Sequence, residues 1–468
     1  MQPDLLRRLA EPLLAPLDAA VAAAALPGPL RDALTQLLDV SGLLVLAALL
    51  YVLRPAATAA WRVPAAAVAA GLGAWLLTHP AARFDDLFLR WDQFAFAAAA
   101  GLAAAGLAAT PRKLVLAGLS TALLLLYCGP LAVAVVAAVT ASGLALHRSP
   151  LGRGERAWLA HTALLLAVYA FAFWLRRRNL FEAARLQGLL AFGLLRYVSL
   201  MVAAHGAPRP ALADCALYMT CYPGITGLRG APEVYAEFAR RNLARPPRLE
   251  PRAAAASLAK GLAMLVASAA VPMSLPRLLA SASAPEAWAC AALFFVKIAL
   301  AAMGAWRTVD ATALCLGIRL RMNFAGLLTC RNPSELWWAW RGTLTNWLVQ
   351  HVYAPLGAAR HHQIRNILAA FAVSFAWHAL GVPFLTPAFH WSFVAAIALW
   401  AALNALGVVL HVAAGRRRGT ARPPGRLRLA SEIVAMWGFG ALTPILLSYQ
   451  GPAAAGLPDL LRLLLGVR

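Results

Sequence analysis

His378 stands in a run from Asn366 to Gly415 that holds no charged residue. An imidazole changes its charge near neutral pH and can take or give a proton there. An ionisable ring at membrane depth marks a functional site by default, because the hydrocarbon penalises it. The bland alternative for the same residue is a structural hydrogen bond between packed helices. Upstream, between Glu335 and Pro355, come Trp337, Trp338, Trp340, Arg341, Thr343, Trp347, His351 and Tyr353, an aromatic density that suits the edge of a bilayer. Read as one continuous helix, Trp340, Thr343, Trp347 and Gln350 share a face, and Arg341, Thr345 and Leu348 share another. An arginine on such a helix must face protein, water or headgroups. His378 follows Arg341 by 37 residues, past a basic loop from Arg360 to Arg365, which lets the two segments pack as neighbours.

The other histidines read differently. His351 beside Tyr353 suits the interface, His361 and His362 sit in the charged loop, and His79, His147, His161, His205, His390 and His411 stand at helix ends. No metal site is expected, since no further ligands converge on these positions. The six cysteines lie in or beside apolar segments without ligand spacing and read as small buried hydrophobes. Neither a phosphate-cradling glycine loop nor a G-x-S-x-G elbow occurs.

The elements that must position His378 are membrane helices. The chain is 62% hydrophobic and 13% charged, against about a quarter charged in soluble domains. Uncharged windows cover 63–82, 93–111, 114–147, 157–175, 366–415 and 433–458, each near or beyond the roughly 20 residues that cross a bilayer as helix. The 114–147 window is cut by Gly129-Pro130 and reads as two short helices joined by a turn. Shorter windows at 40–53, 187–205, 261–276 and 288–306 read as tilted, re-entrant or interfacial pieces. The expectation is an all-α polytopic membrane protein with about 10–12 transmembrane or re-entrant helices. Residues 1–37 read as an amphipathic N-terminal segment, and 38–468 as a single membrane domain. The polar stretch 229–256, with six arginines and three glutamates, reads as an extramembrane loop with short helices. A net charge of +23 spread over inter-helix loops points to anionic lipid headgroups as partners, not to nucleic acid. The alanine-, leucine- and arginine-rich composition fits a GC-rich bacterial source, and hence an inner (plasma) membrane location.

Here the sequence resembles the membrane-bound O-acyltransferase (MBOAT) family. Asn332-Pro333-Ser334-Glu335-Leu336-Trp337 is similar to the opening of the family pattern, Trp340 to Trp347 to its middle, and His351-Val352-Tyr353-Ala354-Pro355-Leu356 to its close. Trp377-His378 matches the final pair on a membrane helix, and Tyr222-Pro223 through Gly230 is a weaker upstream echo. The resemblance spans about residues 185–415. Where family members carry His or Asn after the middle tryptophan, this chain has Arg341, with Asn346 five residues on in a shifted register.

The resemblance implies transfer of an acyl group from a thioester, acyl-CoA or an acyl carrier, to a hydroxyl of a polysaccharide, lipid or alcohol, with no tightly bound cofactor. It implies His378 as general base, Arg341 or Asn346 as the group that polarises the donor, and Trp340, Trp347, Trp377, Tyr353 and Thr345 around the substrates. The physics suits that layout. A neutral imidazole takes the alcohol's proton as it attacks, and a hydrogen-bond donor stabilises the negative charge on the carbonyl oxygen. Two other classes stay open on the residues alone: a transporter or channel with a His378 and Arg341 pathway, and a catalytically inactive relative that keeps the fold.

Overall fold

The structure, a computed structural model, describes residues 62–78, 91–105, 107–128, 130–149, 157–177, 183–205, 210–224, 233–244, 249–281, 283–385, 391–418, 426–447, 462 and 464. The expectations for residues 1–37, the 40–53 window, His79 and His390 lie outside these residues. Among the described residues every regular element is helical. That is the form that lets an alanine- and leucine-rich segment satisfy its backbone within itself in hydrocarbon. The helices are α1 (Arg62–Thr78), α2 (Trp91–Ala104), α3 (Ala109–Cys128), α4 (Pro130–Arg148), α5 (Ala157–Arg177), α6 (Ala183–His205), α7 (Leu212–Thr220) and α8 (Tyr235–Asn242). They continue with α9 (Pro251–Ala270), α10 (Leu275–Leu279), α11 (Ala284–Cys315), α12 (Pro333–Trp340), α13 (Gly342–Leu348), α14 (Gln363–Leu385), α15 (Trp391–Arg418) and α16 (Arg426–Leu447). Three described stretches are long and apolar enough to cross a membrane: Pro251–Ala270, Ala284–Cys315 and Val394–Ala414. α3 ends at Cys128 and α4 begins at Pro130; the turn expected at the glycine–proline pair falls on Gly129, outside the described residues.

The chain forms two compact units. The first takes the described residues up to Leu262 together with Ala305–Arg321, and the second takes Ala263–Gly304 and everything from Met322.

In the first unit α1 packs on α2, α7 lies along α3, and α4 touches α3, α5 and α6. The closest approach is at Gly101 on α2, where an added Cβ would stand 1.9 Å from the backbone carbonyl oxygen of Cys315. The interior carries polar groups in pairs. Gln93 donates to the Tyr222 hydroxyl at 2.7 Å and accepts from Thr312 at 3.4 Å, while Ser257 donates to the Asp310 carboxylate at 2.7 Å. Such pairing is what polar side chains in this setting require.

The 229–256 stretch, read as an extramembrane loop with short helices, is held at its described residues by charged groups paired on the inside. Its short helix is present as α8, but Glu233 just ahead of it is buried. The Glu233 carboxylate accepts from the Arg321 backbone N–H and pairs with Arg241 at 3.3 Å, and Arg321 pairs with Glu237 at 3.0 Å. Burial pushes the Glu233 carboxyl above its ordinary range, with Arg241, the Arg321 amide and Arg196 pulling against it. Arg196 is fully buried, donates to the Tyr218 carbonyl at 2.5 Å and lies 5.2 Å from the centre of the Tyr218 ring. The arginines counted as a headgroup-facing loop are partly spent on docking that loop.

Gly101→Ala is expected to lower the melting temperature of the purified protein by several degrees, because an overpacked core costs about 1–3 kcal/mol and the obstacle here is backbone. Gly118→Ala, at a glycine with open space around it, should leave it within a degree or so of wild type on the scale of ordinary surface changes.

Candidate active site

The site belongs to the second unit and is built on a helix that stops and restarts. Asn332 opens α12 by accepting a hydrogen bond from the Glu335 amide at 2.9 Å, with Pro333 in the first turn where its missing N–H costs nothing. After eight residues the helix ends at Arg341, whose φ of −143° and ψ of 71° are not helical, and α13 begins at Gly342. An interrupted helix leaves carbonyls on one side and amides on the other without partners. Both sides are met by side chains. The Thr345 hydroxyl donates to the Trp337 carbonyl at 2.8 Å, and the Thr343 amide and hydroxyl each donate to Asn323 Oδ1 at 2.9 Å. Asn323 is delivered by a turn in which Phe324 adopts φ 57°, rare for a residue with a side chain. The continuous helix assumed from spacing is therefore corrected: the ladder is interrupted at Arg341, so neither the face of Trp340 and Thr343 nor that of Arg341 and Thr345 runs unbroken across the joint.

Beyond α13 the chain forms a π turn, Val349–Tyr353, closed by the Ala354 amide on the Val349 carbonyl at 2.8 Å. The basic loop that follows bends back through Gly357, Ala358 and His362 at positive φ. Asn366 Nδ2 ties it down, reaching the carbonyls of Leu356, Ala358 and His361 at 3.0, 3.0 and 2.6 Å. This fixes the start of α14 and with it the depth of His378.

On α14 the His378 Nδ1 lies 2.7 Å from the Ser374 carbonyl one turn earlier. A carbonyl oxygen only accepts, so the proton is on Nδ1, and in a neutral ring Nε2 is left with its lone pair. The ring is half-buried between two indoles: Trp377 at 4.7 Å, nearly perpendicular, and Trp400 of α15 at 4.9 Å. Trp400 continues to Trp337 at 5.9 Å, and Trp337 to Phe371 at 4.6 Å. The bond that holds the Trp337 carbonyl at the helix break thus also steadies the aromatic stack on which the imidazole leans. The α15 backbone comes close at Gly407, where a Cβ would lie 3.2 Å from Pro333 and 3.1 Å from Phe439.

Of the residues singled out from sequence, Trp377 touches His378 directly, and the Arg341 charge is among those acting on the imidazole. Thr345 acts on the stack through Trp337. Asn346 is buried on α13, and its Oδ1 lies 3.4 Å from Gln350 Nε2. Trp340 is set between Phe295, stacked at 6.4 Å, and Phe324, edge-on at 5.9 Å. Trp347 packs on His351 at 4.9 Å, and Tyr353 joins the cluster of Ile367, Phe371 and Val408. Sequence reading missed Trp400, Ser374 and Asn323. The helical spacing of Ser374 and His378, one turn apart, carried a signal for the first bond; nothing local announced the other two. Among the described residues no group of three or more His, Cys, Asp or Glu is placed to hold a metal ion.

With this geometry in hand, residues 253–411 match the model of MBOAT, the membrane-bound O-acyltransferase family. The match takes in the helix break, Arg341, His378 and Trp400; the Tyr222–Gly230 echo lies ahead of it. Among curated proteins the chain is similar to the peptidoglycan O-acetyltransferase of Helicobacter pylori, at 27% identity over 101 residues. That stretch is 21% of this chain and 17% of the relative, so the similarity spans about a sixth of the relative's length.

Thr345→Val removes a hydroxyl at nearly constant volume and leaves the Trp337 carbonyl without its partner, a loss of about 1–3 kcal/mol for a buried group. The expected result is a lower melting temperature and altered tryptophan emission, with Thr345→Ser close to wild type; equal behaviour of the two variants would show that the bond does not hold the joint.

Proposed function

We propose that the membrane-bound O-acyltransferase segment, residues 253–411, makes this chain a membrane-embedded enzyme that moves an acyl group from a thioester to a hydroxyl. The observation that carries the reading is the His378 ring, which commits Nδ1 to a backbone carbonyl and keeps Nε2 as an acceptor.

In this scheme the acceptor's oxygen attacks the thioester carbonyl carbon while Nε2 takes the hydroxyl proton, a contribution of about 10²–10⁴-fold for a placed base. Negative charge grows on the former carbonyl oxygen, and Arg341 stabilises it, with Asn346 as the second donor in reach of the same helix. A donor of this kind is worth about 10²–10³ in kcat. Collapse of the tetrahedral species breaks the C–S bond, and the leaving sulfur receives the proton held by the imidazolium. The products are an ester and a free thiol, and His378 returns to its neutral form. Arg341 never loses its charge, so it serves the oxyanion and not the proton.

Acyl-CoA or an acyl-carrier thioester is the proposed donor. The name of the Helicobacter pylori relative favours a saccharide hydroxyl of the envelope as acceptor and an acetyl-sized group as cargo. A bacterial plasma membrane follows from that acceptor.

His378→Ala protein that still runs as a monodisperse peak should lose acceptor-dependent thiol release from acetyl-CoA by about 10²-fold or more. Arg341→Ala should lower kcat more than it raises KM, and Arg341→Lys should recover only part, since lysine lacks the planar fork. Thiol release within threefold of wild type in His378→Ala would remove the assignment.

A further inference from the structure

In the first unit, remote in sequence from His378, a cavity of about 260 Å³ lies among α3, α4 and α7. Its wall is built from helix faces. α4 contributes positions spaced by three and four from Val133 to Leu144, α7 contributes the equivalent stripe from Leu212 to Thr220, and α3 adds Thr121 and Leu124. The eleven steps along α4 from Val133 to Leu144, at about 1.5 Å each, make the space about 16 Å long, running along the helices. The three hydroxyls on the wall are already satisfied. Thr121 donates to Ala117, Thr140 to Val136 and Thr220 to Ala216, each at 2.8 Å to a carbonyl one turn back. What remains facing the space is largely hydrocarbon, with the sulfur atoms of Cys215 and Met219, which offers water few partners. Apolar space larger than the roughly 150 Å³ that takes up benzene in an engineered cavity forfeits packing contacts while vacant.

One end is charged. α7 runs parallel to α3, as Lys113 meets Asp214 at 2.5 Å and Thr220 meets the Ala117 carbonyl at 3.4 Å. At the Asp214 end stand Leu212, which lines the cavity and is 70% exposed, and Arg148 at the exposed C-terminus of α4. Both Asp214 and Arg148 act electrostatically on Cys215, itself part of the wall. Among the described residues this end holds two cations and one carboxylate; Lys113 is paired with Asp214, and Arg148 is exposed.

We propose that this cavity is a binding site for one anionic glycerophospholipid, with an acyl chain between α3, α4 and α7 and the headgroup phosphate at Arg148. The shape fits a chain and not a compact solute, the apolar lining suits hydrocarbon, and the exposed leucine marks the side from which the chain enters. Charge complementarity selects the headgroup. The site is independent of the acyl-transfer reading and stands or falls by itself.

The test is native mass spectrometry of the purified full chain with dioleoyl phosphatidylglycerol or dioleoyl phosphatidylcholine, paired with melting curves in the same lipids. Wild type should retain one phosphatidylglycerol and melt higher with it than with phosphatidylcholine. Ala216→Phe and the milder Ala216→Leu fill the cavity and should lose both effects, while Ala138→Phe, on an exposed position of α4, should keep them. Arg148→Gln should cut the preference for phosphatidylglycerol by about fivefold. Unchanged retention in both Ala216 variants, or no discrimination between the two lipids by wild type, would overturn the proposal.

Discussion

The imidazole of His378 gives one nitrogen to the backbone and keeps the other. Its Nδ1 proton is fixed on the Ser374 carbonyl, so the ring cannot rotate away from its register on α14, and its tautomer is set by an oxygen that can only accept. A short chain of contacts in the second unit bears on where the remaining nitrogen stands. Trp377 and Trp400 hold the ring from two sides, Trp337 backs Trp400, and a threonine one helix away fastens Trp337 by its carbonyl. The chain of contacts explains why so many aromatic residues crowd one short stretch. They are rigid, they bury large area, and each has few ways to sit.

The joint at Arg341 is the second constraint. A helix that ran on past residue 341 would carry the arginine as one more side chain on a face. By stopping and restarting, the backbone lifts Arg341 out of the ladder and frees its direction. A break of that kind is costly in an apolar setting unless the loose amides and carbonyls find partners. Asn323 and Thr345 are those partners. From that joint the Arg341 charge acts on the His378 imidazole.

Much of this was legible in the residues. Composition and the uncharged windows led to a helical membrane protein, and the Trp377-His378 pair led to the ring about which the candidate site is described. Spacing failed at Arg341 because helical periodicity assumes an unbroken ladder, and the hydroxyls that stabilise the break are supplied by residues that look ordinary in sequence. Asn323 lies 20 residues from the amide it caps, and Trp400 is 22 residues beyond the ring it supports. Tertiary contacts of that length leave no local trace. In the polar stretch 229–256 composition counts charges and does not pair them, so the pairing of Glu233 with Arg241 and with the Arg321 amide is seen only in the fold.

The state of the His378 ring is where the account is most directly open to test. Solid-state nitrogen NMR of histidine-labelled protein in lipid bilayers, with the His378→Gln variant used to pick out its signal, reads which ring nitrogen carries the proton. A neutral ring with the proton on Nδ1 and an unprotonated Nε2 is the predicted result. A signal from the opposite tautomer, or from a ring protonated on both nitrogens at neutral pH, would contradict it and leave His378 unable to act as the base.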